Sequence, residues 1–266
     1  MQREELVVND GPAGQEEVVL GNAATSQVVR VGDTVRRPVG RSTVAVHGLL
    51  CHLEDAGFDG APRVLGFDEQ GREVLTHLPH EPAWPYAEEA LVATARLVRR
   101  LHEASAGFSA PADAEWARPQ PPPAVHRVGH NDLHPGNTVY ADGLPYAFID
   151  WELSGPAQPL YDLAWAAINF VPLRPDEFCR KVRFPAPPDR GARLRMFCDA
   201  YGLEDRLELL DKVEAFEREG LHEIVELGGA GVSPFHRFLA RGEDRFLRWD
   251  LEWFLANRSE LAAALA

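Results

Sequence analysis

The chain has 266 residues, and 27 Lys plus Arg against 41 Asp plus Glu give it a formal charge of −14 at pH 7. That balance opposes any general affinity for nucleic-acid phosphates or anionic membrane surfaces and favours cationic partners. With 45% apolar and 9% aromatic residues the chain can bury a sizeable core, in one large domain or two small lobes, which excludes disorder over most of its length.

Cys51, Cys179 and Cys198 are far apart and form no CxxC pair, so neither a disulfide framework nor a structural zinc site is expected. The start, MQREELVVNDG, carries early acids and no apolar segment of the secretory kind. The richest apolar stretch, residues 163–173, is too short to span a bilayer. A soluble cytoplasmic protein with no membrane partner is the expectation.

Residues 18–20, 27–31 and 34–37 are rich in β-branched side chains and are separated by Gly21-Asn22 and Gly32-Asp33, which reads as a small antiparallel meander. Ser42 is then placed to cap a helix whose apolar residues Val46, Leu49, Leu50 and Leu53 fall at i, i+3, i+4 and i+7, and Gly57 is placed to end it. Two more strands, 63–67 and 73–78, follow across a polar turn. The expected order is three strands, one helix, two strands, making a five-stranded sheet.

After Pro79 the pattern changes. Leu91, Ala95, Val98 and Leu101 share one face of a helix over 87–102, and residues 103–128 read as an exposed Pro-rich connection. Two short strands, 138–140 and 146–149, flank an Asp142-Gly143 turn. Beyond Asp162 the periodic segments are helical: 193–201, 207–227 and 235–264, with breaks near 228–234 and at Gly242. Trp249, Trp253 and Phe254 read as core of the last helix.

The chemistry lies in His130-Asn131-Asp132-Leu133-His134-Pro135-Gly136-Asn137 and, after the hairpin, Ile149-Asp150-Trp151-Glu152. Pro135 and Gly136 keep Asp132 and Asn137 on a loop rather than a helix, and Asp150 ends a buried-looking strand. One carboxylate can then face a hydroxyl while an amide oxygen and a second carboxylate face a hard cation such as Mg²⁺, which takes oxygen ligands and keeps phosphates in its shell. That is an arrangement for phosphoryl transfer. His130 and His134 stand four apart, but Asn131 lies where a zinc HExxH helix needs Glu, and Pro135 ends any helix there.

These residues resemble the aminoglycoside phosphotransferase and choline kinase-like family, over roughly residues 18–170. Within it the chain is similar to phosphotransferases of unknown substrate, some likened to trifolitoxin immunity proteins. The resemblance implies an α+β, bilobal protein-kinase-like fold: an N-lobe over 1–78 with a small antiparallel sheet and one helix covering the nucleotide, and a larger, mainly helical C-lobe over 79–266 with the catalytic loop, metal site and acceptor helices. It implies Asp132 as catalytic base, Asn137 and Asp150 as Mg²⁺ ligands, and ATP or GTP as cosubstrate. Adenine would meet the backbone at Thr76, His77 and Leu78. His130 would bond the loop backbone, and His134 and Glu152 would approach the acceptor. Pro159-Leu160-Tyr161-Asp162-Leu163-Ala164 resembles the family's D-P-x-x-D-L-A, with Gln158 at the first Asp. Asp162 would brace the catalytic loop there, or cap a helix starting at Leu163.

The first lobe departs from the pattern. Thr25 and Ser26 stand in the loop that would cover the phosphates, without a G-x-G-x-x-G motif, and serve equally as an ordinary polar turn. The usual Lys of the third strand is absent, so Arg36 or Arg37 must supply the charge, and strand alternation turns only one of them inward. The following helix reads Val46-His47-Gly48-Leu49-Leu50 and has no acid before Glu54. Either Arg alone positions the nucleotide, or catalysis has been given up for a binding or immunity role; retention of Asp132, Asn137 and Asp150 favours activity. The acids Glu152, Asp162, Asp176, Glu177, Glu219, Glu223, Glu226, Asp244, Asp250 and Glu252, with the overall charge of −14, make a small cationic acceptor, such as an aminoglycoside, the leading expectation, with a choline-like or sugar substrate as alternative; taken singly, most of these acids read as solvated helix faces, and only Glu152 stands next to the site in sequence.

Overall fold

The structure is a computed structural model, and it describes residues 6–10, 16–20, 27–111, 113–117, 127–157, 160–232 and 235–266. Two compact units emerge: Met1–Trp84, Arg100–Asp132 and Gly136–Ala157 form the first, and Pro85–Arg99, Leu133–Pro135 and Gln158–Ala266 the second.

The first unit is built on an antiparallel sheet of β1 (Leu6–Asp10), β2 (Glu16–Val19), β3 (Val29–Val31), β4 (Thr34–Arg37), β5 (Val64–Phe67) and β6 (Glu73–Thr76), in the order β1-β2-β3-β4-β6-β5. The sheet therefore has six strands where five were expected, because the acidic start of the chain adds β1 at its edge. Val19, Val29 and Val31 bury together. Helix α1 (Thr43–Asp55) buries Val46, Leu49, Leu50 and Leu53, the residues picked out by spacing. It ends as Gly57 suggested: with φ at +77°, Gly57 donates to the Glu54 carbonyl while Phe58 donates to that of Leu53, so two helix-end carbonyls are satisfied. Ser42 stands at the helix start but makes no side-chain cap bond to it; its hydroxyl donates instead to the Glu152 carbonyl at 3.4 Å.

Helix α2 (Glu88–Ser105) runs three residues further than its pattern indicated. The connection after it is not all exposed, since Trp116 is buried and packs 3.5 Å from where a side chain on Gly155 would stand. Part of that connection is itself strand: β7 (Arg127–Gly129) pairs with β10 (Gly155–Ala157). Between them, β8 (Thr138–Ala141) and β9 (Leu144–Phe148) form a hairpin, with Asp142 and Gly143 both at positive φ as a two-residue turn of this hand requires.

The second unit is helical: α3 (Tyr161–Phe170), α4 (Asp176–Lys181), α5 (Arg190–Tyr201), α6 (Arg206–Gly229), α7 (Phe235–Ala240) and α8 (Glu243–Leu265). Helix α6 packs on α3, α7 and α8, and α5 packs on α8. Asp189 and Asp205 cap α5 and α6 by accepting from the amides of Ala192 and Glu208. Gly242 separates α7 from α8 at φ +74°. Buried Arg193 donates to the carbonyls of Val171 and Phe170 at 2.7 and 3.0 Å, satisfying the end of α3 with a cation where the helix dipole favours one. Phe254 lies in the core, whereas Trp249, expected there, is 39% exposed. No helix among the described residues is long and apolar enough to cross a membrane.

Candidate active site

The loop after β7 and the turn after β9 are tied together by their backbones. Ile149 donates its amide to the Asn137 carbonyl at 2.9 Å, and its own carbonyl lies 3.1 Å from Nε2 of His130. The Asp132 amide points at Nδ1 of the same ring, 3.3 Å away. An amide can only donate, so Nδ1 accepts and Nε2 carries the proton that goes to Ile149. His130 is fully buried, against Trp151 with ring centroids 4.6 Å apart. Asn131, which had no role in the sequence reading, sits at φ +64° and donates its side-chain amide to the carbonyls of Leu153 and Gly155. One histidine and one asparagine thus clamp the Asp132 loop to the segment that carries Asp150.

Asn137, buried in a 3₁₀ turn over Pro135–Asn137, donates Nδ2 to Asp132 Oδ2 at 2.8 Å and to the Asp132 carbonyl at 3.2 Å. With the nitrogen so engaged, the amide oxygen is the end that can face a cation. Asp150 holds a left-handed backbone at φ +65° and ψ +62°, uncommon for a residue with a side chain and of the kind that accumulates at functional sites. One amide oxygen and one carboxylate are a suitable protein contribution to Mg²⁺. Among the described residues no group of three or more His, Cys, Asp or Glu is arranged to hold a metal.

Arg37 enters this cluster from β4. Its guanidinium reaches Glu73 at 2.8 Å, Glu152 at 3.0 Å and Asp150 at 3.4 Å. Arg36 faces the other way, toward Asp68 at 3.6 Å, so of the two arginines it is Arg37 that joins Asp150. Glu73 also meets Nε2 of His47 at 2.8 Å and is buried. Loss of hydration first, and then the charges of Asp150, Asp132 and Glu73, push the Glu152 carboxyl above the usual carboxylate range against the pull of Arg37. Glu73 went unnoticed in the sequence because its signal is a register: it lies directly across from Arg37 once β4 pairs with β6.

Thr25, Ser26, Gln158 and Pro159 lie outside the described residues. Thr76 and His77 donate their amides to the carbonyls of Arg63 and Asp33, and Thr76 Oγ1 accepts from the Arg63 amide; Leu78 follows the end of β6 and is half-buried. His134 and Asp162 belong to the second unit. Asp162 is buried in the first turn of α3, but the helix begins at Tyr161 with Leu160 as its cap residue, so Asp162 does not cap it. Three acids of the helical unit have local counter-ions: Asp176 pairs with Arg190 at 2.7 Å, Glu177 with Arg180 at 2.8 Å and Asp250 with Arg174 at 3.3 Å.

Comparison with known proteins agrees with this architecture. Residues 110–197 match the model of the phosphotransferase enzyme family. The trifolitoxin immunity protein of Rhizobium leguminosarum bv. trifolii is 33% identical over 268 residues, covering 94% of this chain and 99% of that one. A choline/ethanolamine kinase family protein from Mesorhizobium loti has a TM-score of 0.55 at 16% identity, over 100% of this chain and 92% of its own. A microcompartment-associated aminopropanol kinase gives 0.58 at 12%, over 99% and 95%. A spectinomycin phosphotransferase in complex with ADP and spectinomycin gives 0.57 at 11%, over 97% and 94%. At such identities the structures speak for the fold, which is the α+β kinase-like one expected from the sequence. The chain belongs to the phosphotransferase enzyme family, with the trifolitoxin immunity protein as a full-length relative.

Proposed function

We propose that this protein is a small-molecule kinase that transfers the terminal phosphoryl group of ATP or GTP to a hydroxyl of a small cationic acceptor, an aminoglycoside being the leading class. The observation that carries the reading is the bond from Asn137 to Asp132 in a loop whose backbone is joined to that of Asp150, with Arg37 against the same Asp150. Asp132 orients the acceptor hydroxyl and takes its proton; Asn137 Oδ1 and Asp150 would hold Mg²⁺. Bound there, the ion would neutralise charge on the phosphate oxygens. Arg37 supplies the cation for the phosphates that a Lys supplies in other kinases, and with a planar fork it can do so bidentately. Phosphoryl transfer asks the protein for positioning and electrostatics above all, and the clamp of His130 and Asn131 gives positioning.

Incubation with Mg-ATP or Mg-GTP and a panel of aminoglycosides, amino alcohols and sugars, followed by ADP or GDP release, tests the reading. Turnover with an amino alcohol or a neutral sugar would move the acceptor class and keep the chemistry. A second reading is favoured by the full-length similarity to an immunity protein: a catalytically silent binder of an antibiotic or peptide. A ligand selective for the folded state adds RT ln(1 + [L]/Kd), roughly 2.7 kcal/mol at a hundredfold excess over Kd. A melting temperature unmoved by either Mg-nucleotide would favour the binder.

A further inference from the structure

The row Arg37, Glu73 and Phe67 crosses three adjacent strands of the sheet. Arg37 on β4 faces Glu73 on β6, and Glu73 faces Phe67 on β5. Helix α1 lays His47 over the end of that row, its ring 5.3 Å from that of Phe67 and its Nε2 2.8 Å from Glu73. Both oxygens of Glu73 are therefore used: Oε1 by Arg37 and Oε2 by His47. The carboxylate side chain is only 5% exposed. A buried carboxylate left unpaired is strongly disfavoured, so the row holds Arg37 as firmly as Arg37 holds it.

We infer that Glu73 is the positioning residue for Arg37, an acid carried by the sheet that does the work of the acid missing from α1, with His47 as its anchor to the helix. The inference rests on the phosphotransferase reading of the site. In kinases whose cation pairs with a helix acid, the pair forms only when the helix is in place. Here the pair is set by strand register, Arg37 standing across from Glu73, and His47 of α1 holds the second oxygen of the same acid. Glu73 acts on the nucleotide only through the guanidinium, by holding its plane with Nε while the terminal nitrogens point to Asp150 and Glu152.

The test is a cycle of wild type, Glu73→Gln, Arg37→Met and the double variant, reading the Kd of Mg-ATP and Mg-GTP by calorimetry and the fold by circular dichroism. Loss of one charge-assisted bond should weaken nucleotide binding about tenfold in Glu73→Gln. In the Arg37→Met background the same change should have no further effect, since Glu73 then has nothing to position. A purely structural role would instead add to the loss in both backgrounds and lower the melting temperature alike, which would overturn the inference. So would a folded Glu73→Gln protein that binds nucleotide like wild type. If Glu73→Gln does not fold, Glu73→Asp, which keeps the charge, enters the same cycle with the same criteria. Wild type that binds neither Mg-nucleotide overturns the phosphotransferase reading together with this one, whereas wild-type binding with an additive cycle overturns this one alone.

Discussion

Asn137 gives its side-chain amide nitrogen to Asp132 twice, to the carboxylate at 2.8 Å and to the main-chain carbonyl at 3.2 Å. The buried amide thus fixes which way the half-buried carboxylate turns, while the Asn137 carbonyl, bound by Ile149, fixes the loop. Asp132→Asn keeps the shape and removes the base. Turnover should fall by about a hundredfold or more, with Mg-nucleotide affinity retained. Asp150→Asn should lose Mg-dependent nucleotide binding as well. Steady-state kinetics beside nucleotide calorimetry separates the two, and unchanged turnover in a folded Asp132→Asn protein would refute the role of the loop.

The two arginines of β4 give a paired control. Arg37→Met should weaken Mg-nucleotide binding, because Arg37 alone of the two lies against Asp150. Among the described residues Arg36→Met removes the 3.6 Å contact to Asp68, which Arg72 also holds at 2.7 Å, so its nucleotide affinity should match wild type. If Arg36→Met is the more damaging change, the assignment of the phosphate cation is reversed.

Local signals were readable in the sequence and pairings were not. Spacing located α1, and Gly57 and Asp142-Gly143 announced their turns because only a few residue types accept those backbone angles. The loop from His130 to Asn137 was recognisable because its residues are contiguous. Glu73 and Arg37 are far apart in sequence, and they meet through a strand register no local pattern specifies. β7 and β10 are three residues each and likewise exist only through each other. Which acids of the helical unit carry a counter-ion was not legible either: composition counts a carboxylate without its partner, and Asp176, Glu177 and Asp250 each have one.

Gly228, in the last turn of α6, is where two opposed effects can be weighed. Replacing a helical Gly by Ala gains about 1 kcal/mol of helix propensity. A Cβ here, however, would stand 2.9 Å from the Phe235 carbonyl oxygen and 3.0 Å from Leu239 Cβ, both on α7. Backbone cannot give way as a side-chain tip does, and overpacking of this kind typically costs about 1–3 kcal/mol. Gly228→Ala should therefore destabilise in urea denaturation. A neutral or stabilising result would mean that α7 moves aside freely.

Glu217 of α6 sets a pH dependence that is independent of the phosphoryl-transfer chemistry. It is 2% exposed, its Oε2 has no hydrogen-bond partner among the described residues, and burial, aided by the charge of Asp250 and opposed by Arg174, pushes its carboxyl up to about 8. Asp250 is raised for the same first reason, burial. In the unfolded chain Glu217 ionises near its ordinary value of 4.5. Between about pH 4.5 and pH 8 the folded state therefore keeps a proton that the unfolded state has lost, and stability falls as pH rises, by up to about 1.4 kcal/mol per unit from this group. Below that window both states are protonated and above it both are ionised, so the slope vanishes at either end. Glu217→Gln imitates the protonated acid at every pH. Its melting temperature should match wild type near pH 5 and exceed it increasingly toward pH 8, by an amount corresponding to a few kcal/mol at the upper end. Thermal unfolding of both proteins across that range decides the matter: curves that stay parallel would mean that Glu217 is ionised throughout, and that Arg174 holds its charge after all.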